Sequence, residues 1–341
     1  MSDMKKLNIL ITSIGRGTDM VVIFQNALGE NGKVFVSNSV MTSALLKADG
    51  YTITPLIVDE TYVDFLLDYC KANDINAIIS WFDLDLAVLS KNKERFEKNG
   101  ITVLVSDEQV IKTCNDKWNT HRFLASAGLK QPKTYIDPGL LKQDLRANVI
   151  PFPVMMKPRW GSGSVGLFQI DDFDELDVLY RKTHKIIFRS VVQYESAVDA
   201  NRCIIMQEKL DGIEYGLDIL NDLNGNYVAT VAKKKLLIHG STQVAQIVDS
   251  KPFEDTAKTV SKNLKHIGNL DLDCFLTEQG DIYVIDLNCR FGGQYVFDHM
   301  AGANFPKQII DWLLGLPVSP ENINVETGAR GCKEDSPAVR F

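Results

Sequence analysis

The chain has 341 residues, 45% hydrophobic and 24% charged, which gives it length and apolar content for two or three packed units. Thirty-seven basic against 44 acidic residues leave a formal charge of -7; with no basic stripe, a nucleic-acid partner is not expected. The apolar stretch after Lys6 is too short for a signal peptide or a membrane span, so a cytoplasmic protein with no membrane contact is expected.

From Leu7 to Val105 strands and helices alternate. Leu7–Thr12, Lys33–Ser37, Ile53–Val58, Ala77–Trp81 and Ile101–Val105 are short apolar or β-branched runs, and Val63–Lys71 and Leu84–Lys98 have helical period. That order predicts a parallel-sheet α/β domain. Gly15-Arg16-Gly17 follows the first strand and opens a helix, either as a plain turn or as a cradle for an anionic substrate. Trp81-Phe82-Asp83-Leu84-Asp85 follows the fourth strand, where open parallel sheets place ligands, although its acidic residues read first as helix caps. Asn115 or Asp116 caps the next predicted helix, and Lys117 in its first turn opposes the helix dipole. Residues 137–152 form a linker around a short helical piece.

Pro153-Val154-Met155-Met156-Lys157-Pro158 leads into the loop Arg159-Trp160-Gly161-Ser162-Gly163-Ser164-Val165-Gly166, and Leu167–Ile170 reads as a second strand. Strand, glycine-rich loop and strand make a phosphate cradle, with Lys157 as a point charge beside backbone donors. A P-loop would place its lysine after the glycines and a helix behind it, and a dinucleotide fingerprint would also open a helix. Neither pattern is present. After an acidic helix start at Asp171–Leu176, the strands Cys203–Glu208, Ile213–Leu220, Tyr227–Lys235, Gln243–Val248, Asp271–Thr277 and Ile282–Asn288 predict a largely antiparallel α+β half, with Asn221–Asn226 as a hairpin turn. Residues after Glu326 read as weakly structured. Cys70, Cys114, Cys203, Cys274, Cys289 and Cys332 lack metal-site or disulfide spacing and are expected as buried free thiols.

On the strand ending Ile285-Asp286-Leu287-Asn288-Cys289-Arg290, the residues Asp286, Asn288 and Arg290 share a face by the period of two. Oxygen ligands beside a guanidinium suit magnesium bound with phosphates, and Asp273 on the neighbouring strand belongs with them.

In this ordered set of motifs, from about Leu7 to Leu316, the chain resembles the ATP-grasp superfamily, most closely the branch typified by half of a carbamoyl-phosphate synthetase large subunit. The resemblance implies a Rossmann-like domain over residues 1-112, then a two-part ATP-grasp fold with a lid at 113-205 and a C-terminal subdomain at 206-325, and a tail at 326-341. It implies ATP with two magnesium ions, manganese being able to replace them. Lys117 and Lys157 would contact the phosphates and Gly161-Ser162-Gly163-Ser164 would close over them. Glu208 and Leu210 would hold adenine, with Glu214 on the ribose. Asp273, Asp286 and Asn288 match metal ligands, and Arg290 matches the arginine that steadies the transferring phosphoryl group. Asp286 stands where the family usually has glutamate, Asp273 where it often has glutamate or glutamine, and Cys289 where it has proline.

In-line phosphoryl transfer asks for positioning and charge stabilisation, which two lysines, an arginine and metal ions supply. The expectation is a carboxylate–amine ligase that works through an acylphosphate on small-molecule substrates, with phosphorylation of bicarbonate or carbamate as one alternative and a non-catalytic nucleotide-binding regulator as another. Related enzymes are often homodimers. Lys233-Lys234-Lys235 and Ile238-His239-Gly240-Ser241 fall where relatives place a basic strand and a mobile acceptor loop, the lysines reading equally as a solvated run.

Overall fold

The computed structural model describes residues 6–161 and 163–333; Ser162, expected at the phosphates, lies outside the described residues. Five parallel strands build the first sheet: β1 (Asn8–Thr12), β2 (Val34–Asn38), β3 (Gly50–Ile53), β4 (Ile75–Ser80) and β5 (Thr102–Val103), in the order β3-β2-β1-β4-β5. β1 and β4 are almost wholly buried, as a parallel sheet covered on both faces requires. The helices α1 (Thr18–Leu28), α2 (Tyr62–Ala72) and α3 (Asp83–Glu97) cover it. β3 corrects the expected Ile53–Val58 strand: pairing stops at Ile53, because Pro55 removes a donor.

Next come α4 (Glu108–Asn115) and α5 (Lys117–Ser126), then β6 (Thr134–Tyr135), α6 (Pro138–Arg146), β7 (Val154–Pro158), β8 (Phe168–Ile170), α7 (Phe173–Ile187), the short α8 (Gln193–Ser196) and β9 (Ile204–Glu208). Their strands form a second sheet in the order β6-β9-β7-β8. This unit has a core of its own, built from Leu141, Val154, Met156, Trp160, Leu176 and Met206.

The third sheet is antiparallel. It comprises β10 (Ile213–Asn221), β11 (Tyr227–His239), β12 (Ser241–Val248), β13 (Gly268–Leu276), β14 (Ile282–Asn288) and β15 (Arg330–Cys332), in the order β14-β13-β10-β11-β12-β15, with α9 (Glu254–Leu264) against β10 and β11. α10 (Tyr295–Met300) and α11 (Phe305–Leu313) follow β14. β15 corrects the expectation of a weakly structured tail, since Arg330–Cys332 pairs with Val244–Gln246 and forms the sheet edge. Leu66, Ile78 and Leu89 of the first domain share one core with Leu217, Leu272 and Leu287 of this sheet. Trp81 stacks on Phe291 at 6.2 Å across the same boundary. First and third sheets are therefore welded together, while the second keeps a separate core.

Five cysteines are buried free thiols; Cys332 departs from that expectation and is exposed on the edge strand. No helix among the described residues is long and apolar enough to cross a membrane.

Candidate active site

The second and third sheets face each other across a cleft of 840 Å³. Its apolar lining includes Met155, Leu210, Phe275 and Ile285, and its polar lining includes Lys117, Lys157, Asp273, Asp286, Asn288 and Arg290. Glu208 and Glu214 also line it, as do Gly161, Gly163 and Ser164. Chain segments more than 170 residues apart thus deliver the expected site residues to one place.

The loop is fixed at its base. Asp116 caps α5 by accepting from the backbone N–H of Trp118 and Asn119, and both its oxygens accept from the Arg159 guanidinium at 2.7 Å. Arg159 also reaches Asp199 at 3.0 Å. The Lys117 backbone N–H donates to Arg159 O at 3.0 Å. Lys117, opposed to its own helix dipole, is thereby turned into the cleft: Nζ lies 2.5 Å from Gly161 O and 3.7 Å from Asp286. Above this base Gly161, Gly163, Ser164 and Gly166 all have positive φ, and a Cβ on Gly161 would meet Val192 at 2.4 Å.

Lys157 is half-buried on β7. Burial draws its pKa down to about 8, and Lys117 adds to the fall while Asp286, Asp273 and Glu214 oppose it. Such an ammonium is short of negative charge, and a phosphate would supply it.

Asp273 and Asp286 sit opposite each other on β13 and β14, and Asn288 pairs with Asp271. The register slips between Asp273 and Cys274, leaving Ile285 without a partner. Leu287 and Cys289 therefore point into the core, whereas both Ile285 and Asp286 line the cleft, which alternation alone does not predict. No cluster of three or more His, Cys, Asp or Glu side chains that could hold a metal ion is present among the described residues. The face offers two carboxylates and an amide, a hard oxygen set that suits magnesium when phosphate oxygens and waters complete its shell.

Four acidic or basic groups depart from the sequence expectation. Lys233 and Lys235 are no solvated run: Lys233 is fully buried between Asp218 at 2.5 Å and Asp298 at 3.0 Å, and Lys235 lies 2.6 Å from both Glu214 and Asp273. Although burial works against its charge, those two carboxylates raise the Lys235 pKa. Burial also opposes the Asp273 carboxylate, but Lys235 and then Gln294 hold its pKa low. Asp83 and Asp85 are not helix caps. Asp85 is fully buried and accepts from Ser13, Tyr62 and Ser80 at 2.9 Å each. Asp83 takes the Arg290 guanidinium in a fork, with Nε at 2.7 Å and Nη2 at 3.1 Å, across 207 residues. Burial opposes the Arg290 charge, but Asp83 raises its pKa still further.

Trp81 and Phe82 do line the cleft, beside Gln294 and Asp271. Gln294 donates to Asp271, and to Asp273 at 3.1 Å. Burial, then Asp273 and Asp218, push Asp271 up to about 7. In Gly15-Arg16-Gly17, Arg16 is exposed and Gly17 N–H closes a turn on Ile14 O, which is the plain-turn reading. His239-Gly240-Ser241 forms the tip between β11 and β12, and Ile238, Gly240 and Ser241 reach the cleft.

Residues 200–334 match the family "ATP-grasp in the biosynthetic pathway with Ter operon", and residues 9–104 match "PylC-like, N-terminal domain". Biotin carboxylase from Campylobacter jejuni, solved as a β,γ-ATP complex, superposes with a TM-score of 0.74 at 16% identity, over 97% of this chain and 76% of that one. Over residues 200–334 the chain is thus similar to an ATP-grasp family, and its whole length takes the fold of this neighbour. An L-amino acid ligase from Bacillus licheniformis superposes with a TM-score of 0.73 at 20% identity, over 95% of this chain and 79% of that one. By sequence, the arginine-specific carbamoyl phosphate synthase large chain of Bacillus subtilis (strain 168) is 21% identical over 256 residues, 72% of this chain. The present chain spans 22% of the length of that relative.

Proposed function

We propose that the chain is an ATP- and magnesium-dependent carboxylate–amine ligase that acts on small molecules through an acylphosphate. The observation that carries this is the opposition of Lys117 and Lys157 to Asp273, Asp286 and Asn288 across one cleft, with a glycine loop at the rim and Arg290 at the end of the metal strand. In this reading adenine lies against Met155, Leu210, Phe275 and Ile285, held by the chain at Glu208. The phosphates lie under Gly161, Gly163 and Ser164, where each charge-assisted bond from Lys117 or Lys157 contributes about 1.5–3 kcal/mol. Asp273, Asp286 and Asn288 would hold magnesium, which neutralises charge on the phosphate oxygens.

The substrate carboxylate oxygen attacks the terminal phosphorus and ADP leaves with the bridging oxygen. An amine then attacks the acyl carbon, the amide C–N bond forms, the bond to phosphate breaks, and the amine's proton passes to solvent. Arg290, held in its orientation by Asp83, faces charge that develops in the first step. Glu214 is drawn to Lys235, so its contact with a ribose requires that Lys235 share it.

The test is ADP release from Mg-ATP with a panel of carboxylic acids and hydroxylamine, which traps an acylphosphate as a hydroxamate. One acid should give a hydroxamate, and Lys157→Ala and Asp286→Ala should abolish ADP formation with the fold intact. ADP that forms with bicarbonate alone would replace the ligase by carbamoyl-phosphate-type chemistry, and tight Mg-ATP binding without ADP under any mixture would replace it by a regulator.

A further inference from the structure

The cations in the cleft or directly behind its lining that are not fully exposed sort into two groups. Lys117, Lys235 and Arg290 each have an acidic partner within ion-pair distance, respectively Asp286, the Glu214–Asp273 pair and Asp83. Lys157 and Lys333 have none among the described residues. Lys157 sits under the glycine loop, where nucleotide phosphates go. Lys333 sits elsewhere. The pairing of β15 with β12 continues past Cys332 through the Lys333 N–H, which donates to Gln243 O at 2.8 Å. That bond fixes the residue, and its side chain leads back over the double glycine: a methyl placed on Gly293 would lie 3.5 Å from Lys333 Nζ. Gly293 and Gln294 line the cleft three and four residues beyond Arg290. The ammonium is half-buried. Burial lowers its pKa, and Asp19 of α1 and Asp271 act on it only beyond ion-pair distance.

An uncompensated, partly desolvated ammonium next to a cleft-lining glycine is expensive unless an anion visits it. The reacting carboxylate must meet the terminal phosphate on the face of Lys157, Asp286 and Asn288. Lys333 lies behind Gly293, a lining residue three positions after Arg290 in the chain, so the anion it awaits is a second one. We propose that Lys333 is the specificity residue for the acid, and that the acid carries a second carboxylate which Lys333 holds while the first is activated. This rests on the ligase reading above. Gly293 has no side chain, and the space a Cβ would take there borders Lys333 Nζ, so a ligand group lying over Gly293 would meet the ammonium.

The experiment is calorimetric binding of linear diacids from malonate to adipate, each against the monoacid of equal chain length, to the full chain saturated with Mg-ADP. The wild type should bind at least one diacid about tenfold to a hundredfold more tightly than its monoacid, as expected for one charge-assisted pair. Lys333→Met should remove that gap and Lys333→Arg should retain most of it. Gly293→Asp, which places a carboxylate beside Nζ and leaves Lys333 in position, should remove it as well. Equal binding of every pair by the wild type, or a gap that survives in both Lys333→Met and Gly293→Asp, would overturn the proposal. Hydroxamate formation from the preferred diacid separates the two ideas: a diacid that binds through Lys333 but is never converted sinks the ligase and leaves the anion site.

Discussion

Replacement of Asp83 by asparagine keeps the shape of the Arg290 fork and removes its charge. The two side chains are 9% and 11% exposed, and loss of one partner from a buried pair costs about 3–5 kcal/mol. Because the pair borders the cleft, the lower figure applies. Unfolding entropy for 341 residues is about 0.7 kcal/mol per degree, so about 3 kcal/mol lowers Tm by about 4 °C. Activity should fall further than stability suggests. A guanidinium that loses its anchor samples other directions, and loss of one such transition-state contact lowers kcat about a hundredfold or more, with Mg-ATP affinity nearly unchanged. The assay pairs thermal unfolding with ADP release for Asp83→Asn, Arg290→Met and the double variant. If Asp83 acts through Arg290, Asp83→Asn should cost little more stability and no further activity once Arg290 is gone. Additive losses in the double variant would refute the positioning role and leave Asp83 as a separate structural acid.

Two other predictions concern the lysines. Because burial holds Lys157 near a pKa of about 8 in the protein alone and phosphates favour its charged form, nucleotide binding just above that pH should take up a proton, and affinity should fall up to about tenfold per pH unit as pH rises. The sign for the free protein is opposite: between that pKa and about 10.4 the unfolded chain binds more protons than the folded one, so this group's contribution to stability rises with pH. Calorimetry in buffers of different ionisation heat checks the uptake; none would contradict an unneutralised Lys157 at the phosphates. Lys235→Met leaves Glu214 and Asp273 facing each other without a cation, and should lower stability by about 3 kcal/mol in chelator, with magnesium restoring a large part. An unfolding curve for the variant that is insensitive to magnesium would show that Asp273 is not a metal ligand.

Period-two alternation and ordered motifs were enough to place Asp286, Asn288 and Arg290 along one face, because a strand's geometry is local. The cap role of Asp116 was legible for the same reason, since it reaches only two and three residues ahead. What sequence could not deliver is pairing between distant segments. Asp83 begins a helix, and only the fold brings Arg290 to it across 207 residues, so in the sequence alone its acid reads as a cap. Lys233 and Lys235 alternate about Lys234 as one inward face of a strand would, but their meaning depends on Asp218, Glu214 and Asp273 on neighbouring strands. Without register a charge run and a buried ion-pair network look alike. Lys333 was hidden for a further reason: β15 is three residues long, below the length at which alternation carries a signal.

The unpaired Ile285 works as a phase shifter for β14. In an unbroken strand a single side chain in every two belongs to the cleft, so the wall that meets the base and the face that meets the phosphates would be locked to one rhythm. The slip gives the cleft two neighbours in succession, an apolar one and an acid. If the proposed ligase reading holds, base selectivity at position 285 and metal placement at position 286 are separate dials, set by adjacent codons. In that reading, substitutions that enlarge or shrink Ile285 would retune nucleotide choice without moving Asp286, whereas removal of one residue here would restore alternation and swing one of the two away from the cleft.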